Sequence, residues 1–314
     1  MHQPRHPRKT VAARRQGAHP LAFAALIAAN VMLAFGSWFV RMADTGPVAS
    51  AFWRIAIATP VLLALAMAGG WRPARIGRRL WVLFALAGLC FAADLGSWHI
   101  GILKTTMANA TLFGNSAILF FPVYGFLALR TWPSRAQAIA LALAAIGAAL
   151  LMGRSYQLDS RHLAGDLLCL LAGLLYTFYF IIMTRVRLTM APLPALALAT
   201  GASVLPLLAL ALLMGERIWP HDWTPLIALA LVSQVIGQSM LIYALGQMTP
   251  LVVGIALLVQ PVVAATVGWL VYDERLGGAD LIGAALVAVA LVLVRQPEPE
   301  PEPATLAPAD TGPR

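Results

Sequence analysis

The chain has 314 residues, of which 60% are hydrophobic and 11% charged, with a formal net charge of +9. Soluble globular domains carry about 25% charged residues, so a soluble enzyme or soluble binding domain is excluded and a polytopic membrane protein is expected. The two cysteines, Cys90 and Cys169, both fall in apolar stretches, which leaves no material for a disulfide framework or a cysteine metal site.

The first segment, 1–20, reads MHQPRHPRKTVAARRQGAHP; it is basic and proline-rich and is expected to be a disordered tail. Ten apolar runs follow, at 21–41, 48–69, 80–103, 107–129, 136–153, 164–184, 193–214, 224–246, 250–271 and 277–294. Each is close to the ~20 residues that carry a helix across a hydrocarbon core of ~30 Å. They are rich in Ala, Leu, Gly and Val and lack the strict alternation of barrel strands, so they predict an all-α integral membrane bundle of ten transmembrane helices. Further runs succeed the first at once, so it reads as an uncleaved signal-anchor. The last segment, 295–314, carries RQPEPEPEP, a Pro/Glu repeat too polar and too rich in helix breakers to fold.

The positive charges fall on alternate sides of these runs. With the N-terminus in the cytoplasm, 14 Lys and Arg residues lie on the inner side against 6 on the outer. That bias satisfies the positive-inside rule and predicts that both termini are cytoplasmic. WRPARIGRR, beginning at Trp71, then reads as an anchor beside anionic lipid. The lipid bilayer, not nucleic acid, is the partner that the net charge implies.

The runs also repeat. An offset of 143 places IGAALVAVALVLV, 282–294, on IALALAAIGAALL, 139–151, and TPLVVGIALLVQ, 249–260, on TMANATLFGNSA, 106–117. This divides the chain into a five-helix repeat at 21–153 and a second at 164–294. Because five is odd, the second repeat enters the membrane in the opposite sense. Inverted repeats are a common plan for secondary transporters, with the substrate site near the midplane between the halves.

Polar residues inside the runs locate the candidate lining. Asp94 is the one acid placed deep in a run. A charge at helix centre costs about 2.5–3.5 kcal/mol on insertion scales, so it calls for a partner, a wet cavity or a proton. Ser97 and Trp98 share its face, at i+3 and i+4. His99 lies roughly 140° around the helix and is not a direct partner. The first run adds Asn30, Ser37 and Trp38; the fourth adds Asn109, Thr111, Asn115 and Ser116. The sixth carries Tyr176, Thr177 and Tyr179; the eighth carries Gln234, Gln238 and Tyr243; the ninth carries Gln260 ahead of Pro261. For each of these, an interhelical hydrogen bond is the competing role. Arg54 is a basic residue a few positions inside the second run, with three readings: a side chain reaching the outer interface, a partner of Asp44, or a substrate contact.

No Walker loop, HExxH or Gly-x-Ser-x-Gly elbow is present in the sequence, and no cofactor or metal site is expected. Pro122 and Pro261 are placed to open backbone carbonyls at mid-span.

VASAFWRIAIATP at 48–60, GILKTTMANATLFGNS at 101–116 and LLVQPVVAATVGWLVYDERLGGADLIGAALVAVALVLV at 257–294 resemble the drug/metabolite transporter superfamily, EamA family. The resemblance covers residues 20–295. It is most specific where Pro261 is followed by Glu274, a Gly-Ala-Asp turn and Gly283. In the first half the corresponding positions are Ile118, Thr131 and Ala140, so the two halves do not keep the same loop residues. The resemblance implies a ten-helix inverted repeat around a central cavity, exporting amino acids or related small metabolites across a bacterial inner membrane. The expected function is therefore a secondary transporter for a small-molecule substrate, with proton coupling through Asp94 in view. A facilitative channel or a lipid-scrambling protein is the alternative, with an intramembrane enzyme further off.

Overall fold

Prolines open several helices, at positions where the missing N–H has no intrahelical acceptor to lose: Pro47 begins α2, Pro192 α7 and Pro250 α9. The computed structural model describes residues 20–73, 76–105, 113–130, 132–153, 162–272 and 277–295. The first half contains α1 (Pro20–Met42), α2 (Pro47–Ala68), α3 (Arg78–Lys104), α4 (Ala117–Leu129) and α5 (Arg135–Gly153). The second half contains α6 (Leu163–Val186), α7 (Pro192–Leu213), α8 (Thr224–Leu245), α9 (Pro250–Ala256), α10 (Val259–Tyr272) and α11 (Gly278–Arg295). The expected tails, apart from Pro20 in α1 and Arg295 in α11, lie outside the described residues, as do Asn109, Thr111, Thr131 and the acidic pair Asp273 and Glu274.

The described residues form helices and connecting turns, without strands. Six helices are long and apolar enough to cross a membrane, and shorter apolar helices lie at Ala117–Ala128, Arg135–Leu150, Pro250–Val263 and Leu281–Val294. The order is similar in each half: three long helices, then shorter ones, α4 and α5 in the first half and α9, α10 and α11 in the second, where α9 and α10 share one run. α2 and α7 also end alike, each followed by a glycine in the left-handed region, Gly70 at φ 90° and Gly215 at φ 65°.

Three details depart from smooth helical runs. The ninth run breaks at Leu257 and Leu258, between α9 and α10. Pro261 accounts for this, since its ring clashes with the carbonyl four residues back, that of Leu257. In the fourth run a turn at Asn115 and Ser116 precedes α4; both residue types favour turns because their side chains compete for backbone partners. The two breaks fall at corresponding positions of the repeats. Within α8, residues Leu229–Gly237 are wound as a π-helix, a form that is rare and frequent at functional sites.

The helix pairs respect the same symmetry. α3 packs on α6, and its counterpart α8 packs on α1; α3 also meets α7, and α8 meets α2. α2 pairs with α7, α4 with α9, and α5 with α11, each with its own counterpart. Close approach at these contacts depends on small residues, as in other membrane bundles. A Cβ added at Gly101 of α3 would lie 2.5 Å from Cys169 Sγ of α6, and one at Gly88 would lie 2.5 Å from the Cβ of Ala202 in α7.

Contacts at the helix ends tie the halves together. Ala49 N–H, in the first turn of α2, donates to Glu216 Oε2 at 2.7 Å, and Trp53 Nε1 donates to the carbonyl of Ile218 at 2.7 Å. His221 N–H donates to Asp44 Oδ2 at 2.8 Å. Over these bonds Trp53 packs against Trp219 and Trp223, with ring centroids at 5.3 and 4.8 Å. Elsewhere Thr105, after α3, donates to Asp166 Oδ1 at 2.6 Å at the start of α6.

Candidate functional site

Asp94 is the seventeenth residue of α3, roughly 24 Å along the helix from its start and ~15 Å from its end at 1.5 Å per residue. It is 9% exposed. Among the described residues its carboxylate makes no hydrogen bond; its one recorded electrostatic partner on a basic residue is Arg54.

Arg54 lies in α2, about 10 Å inside the helix start at Pro47. Its side chain turns neither to Asp44 nor to the interface. Nε donates to Gln234 Oε1 at 3.0 Å, and Gln234 Nε2 donates to Thr200 Oγ1 of α7 at 3.2 Å. The amide of Gln234 is thereby held with its carbonyl toward the guanidinium. Gln234 belongs to the π-wound part of α8 and is fully buried. One turn further on, Gln238 Nε2 donates to Tyr179 OH at 3.5 Å, and Gln238 Oε1 is buried without a partner.

An aromatic wall faces this polar group. Tyr179 stacks on Phe91 at 4.7 Å and on Tyr176 at 5.9 Å, and Tyr176 packs against Phe180 at 4.2 Å. Phe91 stands three residues before Asp94, so α3 carries the ring and the carboxylate on one face. Arg54 acts electrostatically on Asp94, Tyr176, Tyr179 and His99. The cluster thus draws on α2, α3, α6, α7 and α8, from both halves.

Sequence reasoning selected twelve positions, and the structure brings five together around Arg54: Asp94, Tyr176, Tyr179, Gln234 and Gln238. His99 sits at the margin, 2% exposed; its ring Nδ1 bonds the carbonyl of Leu95 and its Nε2 is buried without a partner. The indole of Trp98 lies edge-on to His99 at 5.1 Å and covers Gly114, where a Cβ would come within 2.8 Å of the ring. Trp98 therefore abuts the turn holding Asn115. Ser97 is half-buried on α3.

The other three lie apart. Gln260 Nε2 donates to Asn30 Oδ1 at 2.9 Å and ties α10 to α1. Trp38 stacks on Phe39 at 5.6 Å and lines an apolar groove of about 400 Å³ with Phe35 and Val263, Val267 and Leu270. Tyr243 lies near the end of α8, where it acts on Arg187. Thr200 was not selected from the sequence, and Arg54 was left with three readings.

Helices of membrane-spanning length in two matching halves, with a polar cluster buried between them, define the class of membrane transporters built on internal repeats. A family model described as "EamA-like transporter family" matches residues 19–153 and again 163–296. The chain belongs to that family, within the drug/metabolite transporter superfamily. No curated protein sequence matches the chain. Among solved structures, one described only as "Crystal structure of protein" superposes with a TM-score of 0.71 at 16% identity, covering 87% of this chain and 94% of its own. At that identity the likeness concerns the fold.

Proposed function

We propose that the protein is a secondary transporter with ten transmembrane helices in two inverted five-helix repeats, exporting small polar metabolites such as amino acids across the inner membrane by alternating access. The observation that carries this reading is the buried cluster of Asp94, Arg54, Tyr176, Tyr179, Gln234 and Gln238, assembled from both halves with hydrogen-bonding capacity unfilled. A cluster that served packing alone would be expected to satisfy its own donors and acceptors.

The end contacts support the alternating topology. In that topology the α1–α2 turn and the α7–α8 turn share the outer side, as do Thr105 and Asp166, and each pair is bonded. Arg187, after α6, donates to the carbonyl of Ile242 near the end of α8 at 3.1 Å, and both belong to the inner side. With both termini cytoplasmic, the positive charges also fall as the membrane requires.

In this reading the chain is a carrier and not an enzyme, and Asp94 is the coupling group. A carboxylate buried at this depth is stabilised by a proton or by a cationic group of the cargo. Only one of them occupies it at a time, which exchanges protons for substrate. The test is counterflow and gradient-driven accumulation of pooled labelled amino acids in proteoliposomes, wild type against Asp94→Asn. The expected result is saturable counterflow in both, at a higher half-saturation in the variant, with accumulation under an imposed pH gradient lost in the variant. Flux without saturation or counterflow identifies a channel and sinks the reading.

A further inference from the structure

Two opposite charges approach within this bundle without meeting. Arg54 and Asp94 act on each other electrostatically, yet no hydrogen bond or ion pair joins them among the described residues. Of the five N–H donors of a guanidinium, only Nε is engaged, by Gln234; the terminal nitrogens of Arg54 make no hydrogen bond among the described residues.

The partner is a neutral amide, not a carboxylate. A carboxylate adds the attraction of a full opposite charge to the hydrogen bond, and the guanidinium fork matches it in two-point geometry where Gln234 takes Nε alone. Gln234 therefore occupies Arg54 with a weaker bond than an arriving carboxylate would make. Thr200 fixes the direction of that amide, which keeps Arg54 aimed at the cluster. Asp94, which acts electrostatically on Arg54, offers acceptor oxygens to an ammonium group. A simple cation would leave Arg54 uncompensated, and a simple anion would leave Asp94 so; a lone buried charge is costly in either case. A molecule carrying both charges a few bonds apart answers both.

We propose that Arg54 is the subsite for the carboxylate of a zwitterionic, amino-acid-like substrate, with Gln234 holding the guanidinium until the substrate displaces it and Asp94 receiving the ammonium group. This rests on the transport reading above and narrows its substrate class.

The experiment is competition in proteoliposome counterflow, using labelled L-amino acids as probes and, as competitors, each unlabelled amino acid and its carboxamide, which keeps the amine but has no anionic end. In the wild type the carboxamide is expected to compete at least about 100-fold more weakly, as for other sites that bind a lost polar group. Arg54→Gln is expected to bring that ratio to within about threefold of one, with Arg54→Lys intermediate because the charge remains and the fork is lost. Gln234→Glu sets a permanent carboxylate against Arg54 and is expected to weaken amino-acid binding at least about tenfold, and it decides the matter if Arg54→Gln does not fold. Equal competition by carboxamides in the wild type, a preserved ratio in Arg54→Gln, or unchanged affinity in Gln234→Glu overturns the assignment while counterflow leaves the transport reading standing. Folded wild-type protein with no counterflow of amino acids or amines removes both.

Discussion

The two halves of the molecule agree in architecture and differ in chemistry. Each has three long helices, then two shorter runs, the first of them broken. At the cluster, however, the carboxylate, guanidinium and imidazole groups, Asp94, Arg54 and His99, come from the first half. The second half supplies Tyr176, Tyr179, Thr200, Gln234 and Gln238, which are neutral. With the repeat offset of 143, Asp94 falls opposite Gly237, so the carboxylate has no twin. The comparison teaches that the symmetric scaffold carries a polarised site. The bond between Arg54 and Gln234 joins the two halves across this site.

Asp94→Asn breaks this division most severely. Gradient-driven accumulation is expected to fall more than about tenfold, the effect of losing a single buried coupling charge, while counterflow persists at a higher half-saturation because the ammonium loses its charged partner; accumulation equal to wild type would show the carboxylate to be structural. On the neutral side, Gln238→Leu removes the donor to Tyr179. A change of about three- to tenfold in half-saturation for counterflow is expected, in line with one hydrogen bond of 0.5–1.5 kcal/mol. An unchanged value would remove Gln238 from the lining.

Away from the cluster, Glu216→Ala cuts the bond to the first turn of α2. A loss of about 1–2 kcal/mol is expected for a charge-assisted bond at a helix N-terminus, seen as a fall of a few degrees in thermal midpoint in detergent at unchanged half-saturation. Asp44 gives the smallest effect. The backbone N–H of His221 holds its carboxyl below the ordinary value of 3.8. A depressed folded value means that its contribution is present above about pH 3.9 and is lost as pH falls through the folded value. Asp44→Asn and wild type should therefore differ slightly in thermal midpoint at pH 7 and converge on acidification; a difference that grows toward low pH would contradict the assignment.

How much of this was legible in the sequence follows from what hydropathy records. Run length and composition placed most of the described helices to within a few residues, whereas in the fourth run, read from 107, α4 begins only at Ala117, and the ninth holds two helices. The same signal runs uninterrupted across Leu257 and Leu258, so the break there left only Pro261 as a trace. The π-winding of α8 left none, since the same residues suit either helix. Asp94 stood out because no interface is near it. Arg54 did not, because a side chain ~10 Å from a helix start reaches outward or inward with equal ease, and its direction is set by Gln234, 180 residues on. Thr200 was silent for a related reason: a mid-helix threonine ordinarily bonds its own backbone.

The glycine contacts have one more consequence. Gly88, Gly101 and Gly147 of the first half, and Gly165, Gly173 and Gly254 of the second, each bring the opposite half so near that an added Cβ would fall within about 3 Å of it. At these positions the seam leaves no room for a further side-chain atom without movement of a neighbour. Substitution along it has a single direction: every change at these positions adds atoms, and every addition wedges the halves apart. Substitution of these glycines is thus expected to act on the spacing of the halves before it acts on the cluster around Arg54 and Asp94.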